Sequence, residues 1–283
     1  MSYKLLSGDV LKLDVVLHNN DLQIMTENRE DVAIETPSLR RNSAEEAFRI
    51  EIINEVLIIK EQDVRRPSGL GFNSGGEIIL RVPAKAKIEG AIVTYNGDIE
   101  IEEISFNGLI KTHNGDISIE ELNSKKLEIS VASGDISIPN GHFQEVSIKA
   151  LSGDIEIGNA HFDLICNSNV STISGDIQVE IVEYIGNNTL LLQSVSGDIE
   201  INGNYPKDKV LSQTVSGDVT NNDFSVNFEG IVGDVAKKIK RKVKEAISGN
   251  TDDRGDVIRV LDMLDAGKID ADKAEQLIKA MRG

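Results

Sequence analysis

The fold is decided by residues 133–157, which read SGDISIPNGHFQEVSIKALSGDIEI. The motif Ser-Gly-Asp-Ile stands at Ser133 and returns at Ser152. The same turn motif, Asn or Ser followed by Gly-Asp, occurs seven times between residues 96 and 218, with glycine-to-glycine spacings of 18 to 22 residues. A period of this length is typical of a repeat architecture, in which each repeat forms one structural unit.

Alignment of the repeats on their aspartate shows alternating apolar and polar columns. The position after the Asp is β-branched in all seven repeats, the next is polar, and the one after that is apolar in the first six. The inward columns are Ile99, Ile117, Ile136, Ile155, Ile177, Ile199 and Val219, then Ile101, Ile119, Ile138, Ile157, Val179, Ile201 and Asn221, and, six residues before the Asp, Ile92, Ile110, Ile129, Ile148, Val170, Leu192 and Ser212. Alternation with a period of two predicts strands with one buried face.

One such repeat cannot bury its own apolar face, whereas stacked repeats bury a continuous ladder of Ile side chains. The sequence therefore predicts an all-β protein, a single-stranded β-solenoid (β-helix), with regular repeats over residues 89–230 and a small C-terminal α-helical tail. The last marked repeat becomes polar at Ser212 and Asn221, as expected of a terminal rung that meets water. Extra residues of the 22-residue repeats are expected in outward loops.

The Gly and Asp residues of the motif are predicted to build turns and not to perform chemistry. Glycine adopts positive φ without steric cost, and Asp side chains accept hydrogen bonds from nearby backbone. The alternative is a column of carboxylates that binds a cation such as calcium, although the dense nine-residue period of calcium-binding repeats is missing. The residues concerned are Gly97, Asp98, Gly115, Asp116, Gly134, Asp135, Gly153, Asp154, Gly175, Asp176, Gly197, Asp198, Gly217 and Asp218.

The amino-acid composition excludes several classes of protein. The net charge is −17, and residues 1–230 carry 18 Lys/Arg against 37 Asp/Glu, so we expect no nucleic-acid partner for this body. The single cysteine, Cys166, excludes an internal disulfide. The N-terminus has no apolar signal segment, and no run of about 20 apolar residues could span a membrane. A cytoplasmic protein is expected, with a peripheral position at the membrane or surface exposure as alternatives.

Residues 1–88 are predicted to form irregular, strand-rich rungs or a cap. Leu11, Leu13, Val15 and Leu17 stand at every second position, and Asn54-Glu55 reads as a two-residue hairpin turn. Two polar loops, residues 36–46 and 62–76, interrupt the strands. This segment should protect the first edge of the solenoid against open-ended pairing.

Residues 231–250 read as a basic amphipathic helix or linker. Val235, Ile239, Val243 and Ile247 recur every four residues. Three interpretations remain open: a linker helix packed on the solenoid end, a segment attracted to an anionic membrane surface, or a weaker nucleic-acid contact. The cations between the apolar positions are Lys237, Lys238, Lys240, Arg241, Lys242 and Lys244.

Residues 251–283 predict a helical hairpin, with Gly267 at the end of its first helix and Asp270 capping the second. Two helices of about 11 residues cannot form a stable core alone, so the hairpin must dock on the solenoid, its own copy or another protein. Its apolar face comprises Val257, Val260, Leu261, Leu264, Ala274, Leu277, Ile278 and Met281.

Residues 75–86, GGEIILRVPAKA, followed by the Gly-Asp-Ile repeats, resemble the bacterial putative-adhesin β-solenoid family. Residues 257–281, VIRVLDMLDAGKIDADKAEQLIKAM, resemble the SHOCT-like helical module. The pair is similar to the YvlB- and LiaX-like proteins of Gram-positive bacteria. The resemblance implies a role near the cell envelope and in its stress response, and it implies no catalytic residues. The helical module is usually N-terminal in that group, whereas here it is C-terminal.

An enzyme is the alternative class of function, because β-helices also host polysaccharide lyases and hydrolases. Such sites need acids that leave the repeat pattern and cluster on one face, whereas the acids here repeat. His142 and His161 lie one repeat apart and are expected to stack at a corner. The sequence thus predicts no cofactor and no metal site. It favours a non-enzymatic scaffold or interaction protein, with a carbohydrate-active β-helix enzyme as the alternative.

Overall fold

The computed structural model describes residues 2–4, 10–37, 47–62 and 76–221, with side chains from residue 10 onward. These residues are all-β and wind into a solenoid, which confirms the predicted β-solenoid. The tail predicted for residues 231–283, like most of the two predicted loops, lies outside the described residues.

The described residues form 21 strands. They are β1 (Ser2–Lys4), β2 (Val10–Leu17), β3 (Asp21–Glu27), β4 (Asp31–Glu35), β5 (Phe48–Ile53), β6 (Val56–Glu61), β7 (Glu77–Pro83), β8 (Lys87–Thr94), β9 (Ile99–Asn114), β10 (Ile117–Ser124), β11 (Leu127–Ser133), β12 (Ile136–Ile138), β13 (Asn140–Phe143), β14 (Val146–Ser152), β15 (Ile155–Asp163), β16 (Ser168–Ser171), β17 (Ile177–Ile185), β18 (Leu190–Gln193), β19 (Ile199–Gly203), β20 (Val210–Gln213) and β21 (Val219–Asn221).

The strands stack in parallel along three sides. Sheet A runs in the spatial order β6, β2, β8, the end of β9, β11, β14, β16, β18 and β20. Sheet B runs β7, β3, the start of β9, β10, β12, β15, β17, β19 and β21. A shorter sheet C joins the middle of β9, the end of β10, β13 and the later parts of β15 and β17.

The register places like residues on top of one another. Ile117 pairs with Ile99 and with Ile136, and the pairing continues to Val219 in the last described rung. In the first six repeats, the Ile, Val and Leu side chains of the three predicted inward columns are at most 3% exposed. Burial of this much apolar surface, at about 25 cal/mol per Å², is the main stabilising contribution of the stack.

The order of the rungs in space differs from their order in the chain. The first strands, β2 and β3, pair residue by residue with β8 and β9 and thus form a rung of the regular type. The later strands β6 and β7 stack on the opposite side of β2 and β3 and form the rung before them. In the order of the chain, the strands of the second rung (β2 and β3) therefore come before those of the first rung (β6 and β7).

Antiparallel strands cover this first end. β5 pairs with β6 through a hairpin whose turn residues Asn54 and Glu55 have φ of 51° and 65°, in agreement with the predicted turn. β4 pairs with β7, and β1 with β4. Arg81 of β7 bridges Glu27 of β3 and Glu35 of β4, and these carboxylates raise the pKa of its guanidinium.

Candidate interaction surfaces

The corner between sheets A and B, which we call the ladder corner, carries one Asp per rung. The carboxylate of each Asp but the last accepts a hydrogen bond from the backbone N–H of the Asp one rung later, for example from Asp154 N–H to Asp135 Oδ1 at 2.8 Å. Across the whole ladder these distances are 2.7 to 3.0 Å. The ladder comprises Asp21, Asp98, Asp116, Asp135, Asp154, Asp176, Asp198 and Asp218. These side chains bind the next rung and not their own turn.

The glycine beside each Asp permits the rungs to stack without a gap. A Cβ on Gly134 would overlap the carbonyl oxygen of Gly115, and the other glycines of the column meet the preceding rung in the same way. Gly134 also has a φ of 139°, which side chains rarely adopt. The glycine is therefore required by the contact between rungs as well as by its own φ.

Hydroxyl groups inside the solenoid donate hydrogen bonds to the backbone carbonyls of the turns. Thr172 Oγ1 donates to the Gly153 carbonyl at 3.2 Å, and Ser194 Oγ donates to the Gly175 carbonyl at 3.2 Å. Thr214 makes the equivalent bond to the Gly197 oxygen of the preceding rung, whereas Thr94 donates to the Gly97 carbonyl of its own turn. These bonds give the turn carbonyls a partner on the inner side of the solenoid.

The first member of the ladder, Asp21, escaped the sequence analysis. Its turn reads Asn19-Asn20-Asp21, without the glycine that marks the other turns. The apolar pattern of the repeats was nevertheless present. Leu22 and Ile24 stand one and three residues after Asp21, and Val15 stands six residues before it. On the other side of this turn, Gly76 N–H donates to Asn20 Oδ1 at 2.9 Å.

Sheet B presents an acidic outer face beside the ladder. In each of the seven repeats, the six residues that begin with the ladder Asp include no Lys or Arg. Within the described residues, the added carboxylates are Glu100, Glu102, Glu103, Glu120, Glu121, Glu156, Glu180 and Glu200. Such a face repels polyanions and favours cationic partners.

Sheet C brings the two predicted histidines together. The rings of His142 and His161 lie 4.3 Å apart at an angle of 68°, and His161 Nδ1 lies 3.3 Å from Glu183 Oε2. Phe143 and Phe162 stack beneath them in the core, with ring centroids 5.3 Å apart. Among the described residues, no group of three or more His, Cys, Asp or Glu is placed to hold a metal ion.

The corner between sheets C and A, which we call the loop corner, holds the extra residues of the longer repeats. Ile165 and Ile185 are exposed there, at 64% and 49%. Cys166 is half-buried there. Its burial, together with the nearby Glu145 carboxylate, raises the pKa of the Cys166 thiol, and Lys126 partly opposes this shift.

The remaining candidates fall outside the described residues. These are the cations Lys237, Lys238, Lys240, Arg241, Lys242 and Lys244, and the hairpin face Val257, Val260, Leu261, Leu264, Leu277, Ile278 and Met281. Within the part of the chain that the structure describes, there is no helix long and apolar enough to cross a membrane.

Comparison with known proteins gives both family and structural matches. The fold is similar to crystal structures of a putative adhesin from Bacteroides fragilis (16% identity, 78% of this chain and 95% of that chain, TM-score 0.47) and of one from Parabacteroides merdae (14%, 78% and 93%, 0.41). It is also similar to a putative lipid binding protein from Parabacteroides distasonis (14%, 78% and 95%, 0.38). A search of curated proteins finds no match.

Two family profiles match the sequence itself. The Toastrack DUF4097 profile matches residues 10–257, which is most of the chain. The SHOCT-like domain profile matches residues 255–283, where the sequence predicted a helical hairpin of that kind. The chain therefore belongs to the Toastrack DUF4097 family and carries a SHOCT-like domain at its C-terminal end.

Proposed function

We propose that this protein is a non-enzymatic interaction scaffold associated with the bacterial cell envelope or its stress response. In this proposal the solenoid is a stiff acidic body, and residues 231–283 contact a protein partner, an anionic membrane surface or a second copy. The observation that carries the proposal is the Asp ladder. Its carboxylates, the most regular polar groups of the chain, each hold the next rung through a backbone N–H.

The distribution of charge supports different roles for the solenoid and for residues 231–283. Residues 231–283 carry 12 Lys/Arg against 10 Asp/Glu, whereas the solenoid is strongly acidic. Six of those cations fall between residues 237 and 244. Each of these cations contributes about 1 kcal/mol to the free energy of binding to an anionic lipid surface. The acidic solenoid by itself would be repelled by such a surface.

The SHOCT-like match supports the partner-binding part of the proposal. A hairpin of this length gains little stability from its own core, so its apolar side chains need a second surface. Leu261 and Ile278 lie on the predicted face, one on each helix.

The membrane arm is tested by flotation of the full chain with vesicles of anionic or zwitterionic lipid. We expect flotation with anionic vesicles only, with release by salt, and loss of flotation when the six cations between residues 237 and 244 are replaced by Gln. Lys125→Gln/Lys126→Gln on the solenoid is the matched control and should float like the wild type. Flotation of the six-fold variant would refute the assignment to these cations.

The partner arm is tested by sedimentation velocity over a range of concentrations. If the hairpin mediates self-association, the full chain forms a dimer, and Leu261→Asp/Ile278→Asp is a monomer with an unchanged far-UV circular dichroism spectrum. A chain that neither floats nor associates through this face would refute both the membrane and the self-association forms of the proposal.

A further inference from the structure

Strand β5 forms the edge of sheet A at the first end of the solenoid. Among the described strands it pairs only with β6, through an unbroken run of residue pairs from Phe48 to Ile53. Sheet B is extended differently at this end, since β4 adds to β7 and β1 adds to β4. The side of β5 that faces away from β6 is therefore a strand edge with which no described strand pairs.

The backbone groups at this edge belong to Phe48, Ile50 and Ile52. Gln62 N–H donates to the Ala47 carbonyl at 2.8 Å, so the odd-numbered residues of this strand bond to β6. Residues of an antiparallel strand direct their N–H and C=O groups alternately to its two sides. The three even-numbered residues therefore present their N–H and C=O groups to the edge.

The sequence of β5 lacks the features that commonly protect a strand edge from pairing. The strand contains no Pro, Gly or Lys, and its register with β6 has no bulge. Its two charged side chains, Arg49 and Glu51, have opposite signs and lie 2.6 Å apart, measured from Nη2 to Oε. Ile52 and Ile53 are exposed, at 37% and 42%. A regular and largely apolar edge of this kind can accept another strand.

The order of residues in β5 is self-complementary about Ile50. We propose that β5 pairs in antiparallel fashion with β5 of a second copy, across a two-fold axis that passes between the two Ile50 residues. In this register Arg49 lies opposite Glu51 of the second copy, and Phe48 lies opposite its Ile52. The charge pairs are attractive, and the outer pairs join an aromatic to a β-branched side chain, so both kinds of pair stabilise the contact.

Other antiparallel registers are less favourable. Residues that lie opposite one another share a face of the sheet, so a symmetric pair must be centred on a residue. A centre at Arg49 or at Glu51 places two like charges directly opposite each other, which is destabilising. Centres nearer the ends pair fewer residues. The centre at Ile50 also lets all three residues with edge-facing backbone groups exchange hydrogen bonds with the second copy, about six bonds in total.

This contact is separate from the self-association proposed for residues 251–283. Each β5 has one edge to offer, so the two-fold contact by itself stops at two copies and does not grow into a filament. One pair of short strands is smaller than a stable interface, so we expect a weak association that is populated at protein concentrations on the order of 100 µM. Neither contact requires the other.

The test is a disulfide between two full-length chains that carry Cys166→Ser and, to remove association through the hairpin face, Leu261→Asp/Ile278→Asp. Arg49→Cys and Glu51→Cys are made in separate chains, which are mixed at a concentration on the order of 100 µM and oxidised. In the proposed register their Cα atoms lie about 4.5 Å apart, within the range of a disulfide. Two cysteines at the same position are diagonal neighbours, about 7 to 8 Å apart. We expect the mixed disulfide to form several-fold more than either symmetric one.

Each cysteine variant oxidised alone is the matched control, because its cysteine then meets only its own position in the second copy. Equal yields in the mixture and in the two controls would overturn the proposal, and so would the absence of any disulfide. Far-UV circular dichroism of both variants verifies that the solenoid has folded.

Charge exchange tests the same register without cysteines, by sedimentation equilibrium in the Leu261→Asp/Ile278→Asp background. Arg49→Glu or Glu51→Arg alone should raise the dissociation constant about tenfold or more, because like charges then lie opposite each other. Arg49→Glu faces Lys60 of β6 in its own chain, so its fold should be preserved. The two variants mixed, or both substitutions in one chain, should restore the parent's constant. An unchanged constant in the single variants, or no recovery in the mixture, would contradict the proposal.

Discussion

The ladder corner and the loop corner lie on the same rungs but tolerate very different sequences. At the ladder corner every regular rung repeats Gly-Asp, and the carboxylate of one rung bonds to the backbone of the next. At the loop corner the repeats differ in length, and Ile165 and Ile185 are exposed. The same stack of strands thus has one invariant edge and one variable edge.

The difference lies in how closely the backbones meet. At the ladder corner a Cβ on Gly134 has no room beside the Gly115 carbonyl, so neither an insertion nor a side chain fits. At the loop corner the backbones are farther apart, since a Cβ on Gly186 would lie 3.0 Å from the Leu164 carbonyl oxygen. The sequence of each rung is therefore constrained where the backbones of neighbouring rungs are in contact, and it varies where loops face water.

The largest expected effect is that of Gly134→Ala. The new Cβ meets a backbone carbonyl at a φ of 139°, and the free energy of unfolding should fall by about 3 kcal/mol or more. Gly186→Ala at the loop corner, where the nearest atom would be Leu164 O at 3.0 Å, should cost about 1 to 2 kcal/mol. Urea denaturation measures both; equal losses would remove the distinction between the corners.

Replacement of a ladder carboxylate should have a moderate effect. Asp135→Ala leaves the Asp154 N–H to water and should lower the free energy of unfolding by about 1 kcal/mol. Asp135→Asn keeps an acceptor oxygen and removes one of a row of like charges, so its stability should equal or exceed that of the wild type. A loss in Asp135→Asn as large as in Asp135→Ala would show that the charge, and not the acceptor, matters.

Substitution of the exposed apolar residues at the loop corner should have little effect on stability. Ile165→Ser changes a side chain that is 64% exposed, and the free energy of unfolding should stay within about 0.5 kcal/mol of the wild type. The control Ile177→Ala, at 1% exposure, should lose about 3 kcal/mol. Thermal and urea unfolding both report the contrast, and a comparable loss in Ile165→Ser would mean that this corner is packed like the core.

The smallest effect concerns reactivity and leaves stability unchanged. Burial and Glu145 raise the pKa of Cys166, so at neutral pH less thiolate is present and iodoacetamide should react slowly. Glu145→Gln removes one cause and should increase the alkylation rate several-fold, whereas Lys126→Gln should decrease it. Rates measured by mass spectrometry between pH 7 and 9 decide the point, and identical rates would exclude an influence of Glu145.

Much of the ladder was predictable because each rung obeys the same local rule. The Gly-Asp positions and the three inward columns follow from period-two alternation and a common spacing. Asp21 was overlooked because its turn has Asn20 in place of glycine, although the surrounding apolar residues kept the offsets. The exposure of Ile165 and Ile185 could not be predicted, since both look like ordinary core residues until the structure places them at the loop corner.

The sequence by itself determined the all-β solenoid, its inward Ile columns and the place of its turns, because each depends on residues near one another in the chain. Only the tertiary structure decided that β6 and β7 precede β2 and β3 in the stack, and that the ladder carboxylates bond to the following rung. These features depend on which distant segments come to lie on one another, and such contacts leave no periodic signal in a single chain.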